Sequence, residues 1–208
     1  MCPQLGRGGL DEDDQCEQMS ATRRYTFLVH VSLPHLPLIT ERLSLRKLTF
    51  KDAEFIFELL NDPDWIRYIG DRGVRTLDDA QAYIRKGPMT MYDKHGFGLY
   101  LVEVRETGKA VGLSGLLKRD ALDDVDIGFA FLPSARGVGY AREAARAVIE
   151  EASTHHRLRR LAAITSVDND SSIRLLEREG FRFEKLLTMP GESEPVKLFM
   201  REEEAASS

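Results

Sequence analysis

The chain has 208 residues, is 42% apolar and 30% charged, and carries a formal net charge of −5. That is enough for one sizeable core of ordinary soluble composition, while the lack of a long basic run disfavours a nucleic-acid binder, which needs a basic face. No apolar run approaches the roughly 20 residues that span a bilayer, and Cys2 and Cys16 both sit in the polar N-terminal segment, where neither can staple a core or build a metal cluster.

Residues 1–24 are rich in Gly, Asp and Gln without an apolar period and are expected to form a disordered tail. Their run Asp11 to Asp14 argues against a secretion or transit signal, so the expected location is the cytoplasm. Residues 25–37 read as an extension broken by His30, Pro34, His35 and Pro37, with an edge strand as one option. Leu43 and Leu45 alternate with Ser44 and Arg46, a strand pattern. Thr49 then stands near the N-cap of a helix from Asp52 to Leu60, ended by Asn61-Asp62-Pro63. Leu77 to Arg85 reads as a second helix closed by Gly87-Pro88. Phe97 to Val104 and Ala110 to Leu117 read as strands around the turn Glu106 to Lys109, followed by a strand from Val125 to Leu132. A helix from Gly139 to Ser153, a strand from Leu161 to Val167 and a helix from Ser171 to Glu179 follow. Strands Phe181 to Leu187 and Val196 to Met200 close the series before a tail at 203–208. The order β-α-α-β-β-β-α-β-α-β-β predicts an α/β (α+β) domain over 38–202, with helices flanking a mixed, mostly antiparallel sheet.

The stretch Phe129 to Ala141 carries the most chemistry. A strand ends at Leu132-Pro133, a turn holds Gly137 and Gly139, and a helix opens at once. Free N–H groups at a helix start make an anion site, glycines admit a diphosphate close to the backbone, and Arg136 adds positive charge. The dinucleotide fingerprint fails, because the position three residues after Gly139 is Arg142; the nucleotide P-loop fails, because Gly108-Lys109 is followed by Ala110. A different diphosphate, or a plain strand-to-helix junction, remains.

Arg136-x-x-Gly139-x-Ala141 resembles the Arg/Gln-x-x-Gly-x-Gly/Ala motif of the Gcn5-related N-acetyltransferases. Asp126-Ile127-Gly128-Phe129 resembles the strand before that motif. Thr40-Glu41-Arg42-Leu43-x-Leu45-Arg46 and Asn169-x-x-Ser172 through Glu177-x-x-Gly180-Phe181 resemble the ribosomal-protein N-terminal acetyltransferase (Rim type) branch. The resemblance spans about four-fifths of the chain. It implies the acyl-CoA N-acyltransferase fold and acetyl-CoA as co-substrate. It implies that Phe129, Phe131, Leu132, Arg136, Gly137, Val138, Gly139, Tyr140, Ala141, Asn169 and Ser172 bind that co-substrate. Acetyl transfer to a primary amine, a peptide N-terminus or a small molecule, would then proceed by direct attack without a covalent enzyme intermediate. A homodimer is compatible with it.

Such a reaction needs a base for the amine, fixed donors for the charge developing on the carbonyl oxygen, and a proton for the leaving thiolate. Asp126, Gly128 and Ala130 share one strand face, and an Asp flanked by small residues leaves room for a substrate, so Asp126 is the first candidate base. Glu103 is the second and Glu41 the third, also a candidate on the acceptor side; each could equally be a solvated strand acid. Asn169 and Ser172 are good helix caps on their own account. Leu176 stands where many family members place a Tyr, which favours Ser172 or water as proton donor and keeps open a degenerate acyl-CoA sensor as the second reading. Trp65, Tyr68, Asp71 and Arg72 are expected on a loop facing the acceptor, where Arg72 could bind a carboxylate or phosphate. No spacing suggests a metal, and His155-His156 reads as an exposed helix end.

Overall fold

The computed structural model describes residues 37–203. The expected tails, most of the N-terminal extension and both cysteines lie outside the described residues.

Eight strands form one sheet in the order β1-β2-β3-β4-β5-β6-β8-β7. The edge strand β1 (Leu38–Ile39) pairs with β2 (Leu43–Lys47), whose Leu43 and Leu45 are fully buried as the alternation predicts. β3 (Leu99–Val104), β4 (Ala110–Leu117) and β5 (Asp126–Phe131) continue antiparallel. β5 then runs parallel to β6 (Arg160–Ser166), and β6 pairs with β8 (Pro195–Glu202), which in turn pairs with the edge strand β7 (Arg182–Thr188). The mostly antiparallel sheet with flanking helices is the expected architecture.

The helices divide between the two faces. α5 (Tyr140–Thr154) buries Ala144, Ala145, Val148, Ile149 and Ala152 against Val102, Ile127 and Phe131. The Leu176 side of α6 (Asp170–Arg178) joins the same core. On the other face, α1 (Ala53–Leu60), α2 (Pro63–Tyr68) and α3 (Leu77–Ile84) bury Ile56, Leu59, Trp65, Ala80 and Ile84 against Leu99, Leu101 and Leu113. α1 is entered through a single 3-10 turn, Phe50–Asp52, with Thr49 and Asp52 forming a capping box.

Two expectations between Asn61 and Phe97 need correction. Trp65 and Tyr68 lie on α2, not on a loop: Asp62 caps its N-terminus by accepting from the amides of Asp64 and Trp65, and Pro63 fills the first helical position. Gly87-Pro88 does not close the second helix. The chain passes through a π-helical turn at Arg85–Met89 into α4 (Thr90–His95), and Gly96 ends it in a left-handed conformation. The wide turn absorbs the amide that Pro88 lacks, and the Thr90 hydroxyl donates to the Arg85 carbonyl at 3.0 Å.

Candidate active site

β5 and β6 share one register pair, Asp126 with Ala162, reinforced by the Ala162 amide donating to Val125 O at 2.9 Å. Beyond that point no pairing joins the two strands among the described residues. A cleft of about 1500 Å³ is lined by both strands and reaches α2, α6 and the loop after β5. A parallel pair that separates after one register position leaves main-chain N–H and C=O groups of β5 without a strand partner.

At its far end β5 runs through the 3-10 turn Pro133–Ala135 into the loop 136–139. Gly137 and Gly139 both take left-handed φ angles, +77° and +89°, which disfavour any side chain. Gly137 faces open space, and a Cβ on Gly139 would come within 3.3 Å of Arg42 Nη2. Gly139 is the N-cap of α5, and no side chain caps that terminus. The first-turn amides of a helix have no acceptor within it, so α5 presents them to the loop. That donor set fits a diphosphate bound through the backbone.

The loop is held from the turn between β1 and β2. Arg42 Nε donates to Glu143 Oε2 at 2.7 Å, its amide to Glu143 Oε1 at 2.8 Å, and its Nη1 to Val138 O at 2.9 Å. The Thr40 hydroxyl donates to Glu143 Oε1 at 2.6 Å, and the Arg42 guanidinium lies 4.8 Å from the centre of the Tyr140 ring. Burial alone would push the Glu143 carboxyl up; the Thr40 and Arg42 donors outweigh it and hold Glu143 below the ordinary glutamate value. The segment Thr40 to Leu43, singled out in the sequence, is therefore tied to Glu143 in the first turn of α5.

The Arg136 side chain is not turned loose toward a ligand. Its Nε donates to Phe131 O at 2.9 Å, its Nη2 to Asp62 Oδ1 at 2.8 Å and its Nη1 to Asp64. The charge expected for a diphosphate is thus shared with two carboxylates at the start of α2, leaving the backbone amides as the principal donors. The other end of α2 is tied to β6: the Ser166 hydroxyl donates to Tyr68 O at 2.9 Å, and Arg67 pairs with Asp168 at 2.8 Å. α2 therefore bridges the ends of β5 and β6.

Asp126 begins β5 and is 1% exposed. Arg119 Nε donates to both of its oxygens, at 3.2 and 3.0 Å. Burial pushes the Asp126 carboxyl above the ordinary aspartate value, and Arg119 pulls it back only in part. Arg119 was not anticipated; it stands in an irregular acidic connection where no periodicity points to a partner. Ile127, Phe129 and Phe131 face the α5 core while Ala130 packs with the α1–α3 core, which bears out the expected parity of β5.

The cleft lining brings together Asp126, Phe129, Phe131, Arg136, Gly137, Gly139, Tyr140, Ala141, Asn169, Ser172, Trp65, Tyr68 and Arg72 of the expected residues. Leu132 and Val138 flank it: Leu132 is buried among the α1–α3 core and Val138 offers its carbonyl to Arg42. Glu103 lies outside it, bound through Arg46 Nη2 at 2.7 Å in a cluster with Asp52, so its carboxylate serves the β2–β3 junction. Glu41 lies outside it too, in a shallow groove beside Arg42. Asp71 pairs with Arg75. Asn169 caps α6, accepting from the Ser172 amide at 3.2 Å and from the Ser171 hydroxyl at 2.9 Å. Leu176, one turn beyond Ser172, is buried and lines the same cleft. His156 turns inward rather than ending an exposed helix: it is edge-on to Phe97 and 3.5 Å from Glu151. Among the described residues no cluster of His, Cys, Asp and Glu could hold a metal ion, and no helix is long and apolar enough to cross a membrane.

Comparison with known proteins agrees with this geometry. The chain is 30% identical over 147 residues to the uncharacterised N-acetyltransferase YnaD of Bacillus subtilis, covering 71% of this chain and 83% of the relative. A crystal structure of a GNAT-family acetyltransferase from Bacillus anthracis superposes with a TM-score of 0.68 at 28% identity, covering 81% of this chain and 99% of that one. RimL, a ribosomal L7/L12 α-N-protein acetyltransferase solved with coenzyme A, superposes with a TM-score of 0.68, covering 79% of this chain and 96% of that one; at 16% identity it shares the fold. The model of the acetyltransferase (GNAT) domain matches residues 42–182, and the chain belongs to that family, the Gcn5-related N-acetyltransferases.

Proposed function

We propose that the protein transfers the acetyl group of acetyl-CoA to a primary amine by direct attack, without a covalent enzyme intermediate. The observation that carries this reading is the parting of β5 from β6 beside an uncapped helix start with two left-handed glycines. An extended chain with a diphosphate at one end suits such a site: its amides could pair with the free edge of β5, and its diphosphate with the amides of α5. Coenzyme A has that form, and its acetyl thioester supplies the activated acyl group.

The chain's own residues have distinct tasks. The loop Arg136–Tyr140 and α5 bind the diphosphate, with Phe129 and Phe131 beside the extended arm. Main-chain N–H groups of β5 offer fixed donors to charge that develops on a carbonyl oxygen. Asp126 accepts the proton of the incoming ammonium, directly or through water; burial raises its affinity for protons, the direction a general base needs. The Ser172 hydroxyl, on the cleft side of α6, donates toward the leaving sulfur. Trp65, Tyr68 and Arg72, on α2 and the connection after it, bound the acceptor. The motifs at Thr40 to Arg46 and Asn169 to Phe181 support a place in the Rim-type branch, with a peptide N-terminus or a small amine as acceptor.

Thermal melting with acetyl-CoA, CoA and ATP in parallel, followed by thiol release with amines, tests the reading. A ligand at 100-fold its dissociation constant adds about 2.7 kcal/mol to the folded state. Stabilisation by both CoA compounds but not ATP, with amine-dependent thiol release, is expected. No shift with either CoA compound sinks the proposal. A shift without turnover across peptides and small amines replaces it with an acyl-CoA sensor, a reading in keeping with Leu176 at the cleft.

A further inference from the structure

The part of the cleft that α5 and α6 line carries charge of one sign. Its charged residues are Arg142, in the first turn of α5, and Arg174 and Arg178, one turn apart on α6; no carboxylate of either helix lines the cleft. Asp170 and Glu177 of α6 stay outside the lining, and among the described residues neither Arg174 nor Arg178 has a carboxylate partner. Like charges four residues apart on a helix repel each other. The helix dipole favours Arg178 in the last turn of α6, but not Arg174 in the middle.

Arg142 is anchored from the same helix. Its Nε donates to Glu179 Oε1 at 2.6 Å, and Arg146 Nε donates to Glu179 Oε2 at 2.9 Å. The Glu179 side chain is 6% exposed, and Arg201 Nε on β8 donates to the Glu179 carbonyl at 3.1 Å. A buried carboxylate with both oxygens taken is a fixed point. Because Arg142 bonds through Nε, its two terminal nitrogens have no acceptor among the described residues. Gly139, three residues earlier, is the start of the uncapped helix whose amides fit a diphosphate. The arginines therefore adjoin the diphosphate site, whereas Asp126 lies at the opposite end of β5.

Resting on the acetyl-CoA reading above, we propose that Arg142, Arg174 and Arg178 form a further anion subsite that takes the 3′-phosphate of CoA. Glu179 is a positioning residue for Arg142. CoA carries this phosphate monoester on the ribose joined to its diphosphate. A molecule seated on the α5 amides thus brings a second anionic group within one ribose of them. Guanidinium groups suit such a group because their planar N–H donors match its oxygens in pairs. The subsite selects among cofactors, favouring CoA over its 3′-dephospho form, and leaves the choice of acceptor to the other end of the cleft.

Titration calorimetry of the full chain with CoA and with 3′-dephospho-CoA reads the subsite without turnover. CoA is expected to bind about tenfold more tightly, the scale of charged hydrogen bonds partly open to water. Raising the ionic strength should narrow that gap. The double substitution Arg174→Gln and Arg178→Gln should bring the two dissociation constants within about threefold of each other, by weakening CoA alone. Glu179→Gln should close the gap in part, through Arg142. An unchanged affinity for 3′-dephospho-CoA reports that each variant is folded. Equal binding of both ligands by the unmodified protein overturns the inference, as does a gap that survives the double substitution; in both cases binding of 3′-dephospho-CoA leaves the cofactor reading standing. A double variant that loses both ligands alike also overturns it, since the arginines would then serve the fold or the diphosphate. A gap untouched by Glu179→Gln removes that residue's role. Failure of the unmodified protein to bind either ligand takes down the cofactor reading as well.

Discussion

Two arginine–carboxylate pairs stand at the two ends of β5, and they behave in opposite ways. At the glycine loop, Glu143 accepts from the Thr40 hydroxyl, the Arg42 amide and the Arg42 guanidinium, and its carboxyl is held below its ordinary value. At the other end, Asp126 is buried with a single side-chain partner, Arg119, and its carboxyl is pushed above its ordinary value. The difference lies in the number of donors set against the desolvation of the charge. Several donors fix a carboxylate as a permanent anion that can organise structure. One donor in a dry place leaves a carboxylate that can take up and release a proton.

The largest effect expected from this contrast is in catalysis. Asp126→Asn should lower kcat by about 10² to 10⁴, the range for loss of a positioned general base, while the melting shift with acetyl-CoA persists. Glu143→Gln should leave kcat within a few-fold and instead lower stability by about 1 kcal/mol through weakened charged hydrogen bonds. Steady-state kinetics on both variants separates the roles; a Glu143 variant as slow as the Asp126 one would erase the distinction.

Asp126 and the glycine loop were legible in the sequence because their signals are local. Strand parity places Asp126 with Gly128 and Ala130, and the turn-to-helix junction needs only neighbouring residues. The partners that set their chemistry were not legible. Arg119 is seven positions from Asp126 across an irregular connection, and Arg42 lies 101 positions from Glu143. Pairings at such separations leave no period in the chain. α2 was missed although Asp62-Pro63 is a fair helix start, since the same residues also end α1 and read first as a stop. Gly87-Pro88 misled for a related reason: a breaker in an α-helix is tolerated once a π turn and the Thr90 hydroxyl take over the displaced carbonyls.

A smaller effect is expected at the loop. Arg42→Ala removes the bond to Val138 O and leaves Glu143 in the first turns of α5, where a negative charge opposes a bound diphosphate. The dissociation constant for acetyl-CoA should rise roughly tenfold, about 1.4 kcal/mol. Adding Glu143→Gln to Arg42→Ala should recover part of that loss, because the second substitution removes the exposed charge. Titration calorimetry of the two single variants and the double variant measures the coupling. Strict additivity would show that Arg42 does no more than brace β2.

The subtlest expectation concerns stability against pH, where the two carboxylates should pull in opposite directions. Glu143 has its folded-state value below the ordinary one, so its contribution is complete above that ordinary value and is lost as pH falls through the folded value. Asp126 has its folded-state value above the ordinary one. The cost of burying its charge is therefore absent at low pH, sets in as pH rises past the ordinary value, and is complete above the folded value. Urea unfolding of the wild type, Glu143→Gln and Asp126→Asn from about pH 4 to 8 compares them. The advantage of wild type over Glu143→Gln should shrink toward the acid end, and Asp126→Asn should gain on wild type toward the alkaline end. Arg119→Met should steepen the second trend, since Arg119 is the group that restrains the rise. Parallel curves for all the proteins would mean that both carboxylates are equally compensated, and the division between a fixed anion and a working base would have to be abandoned.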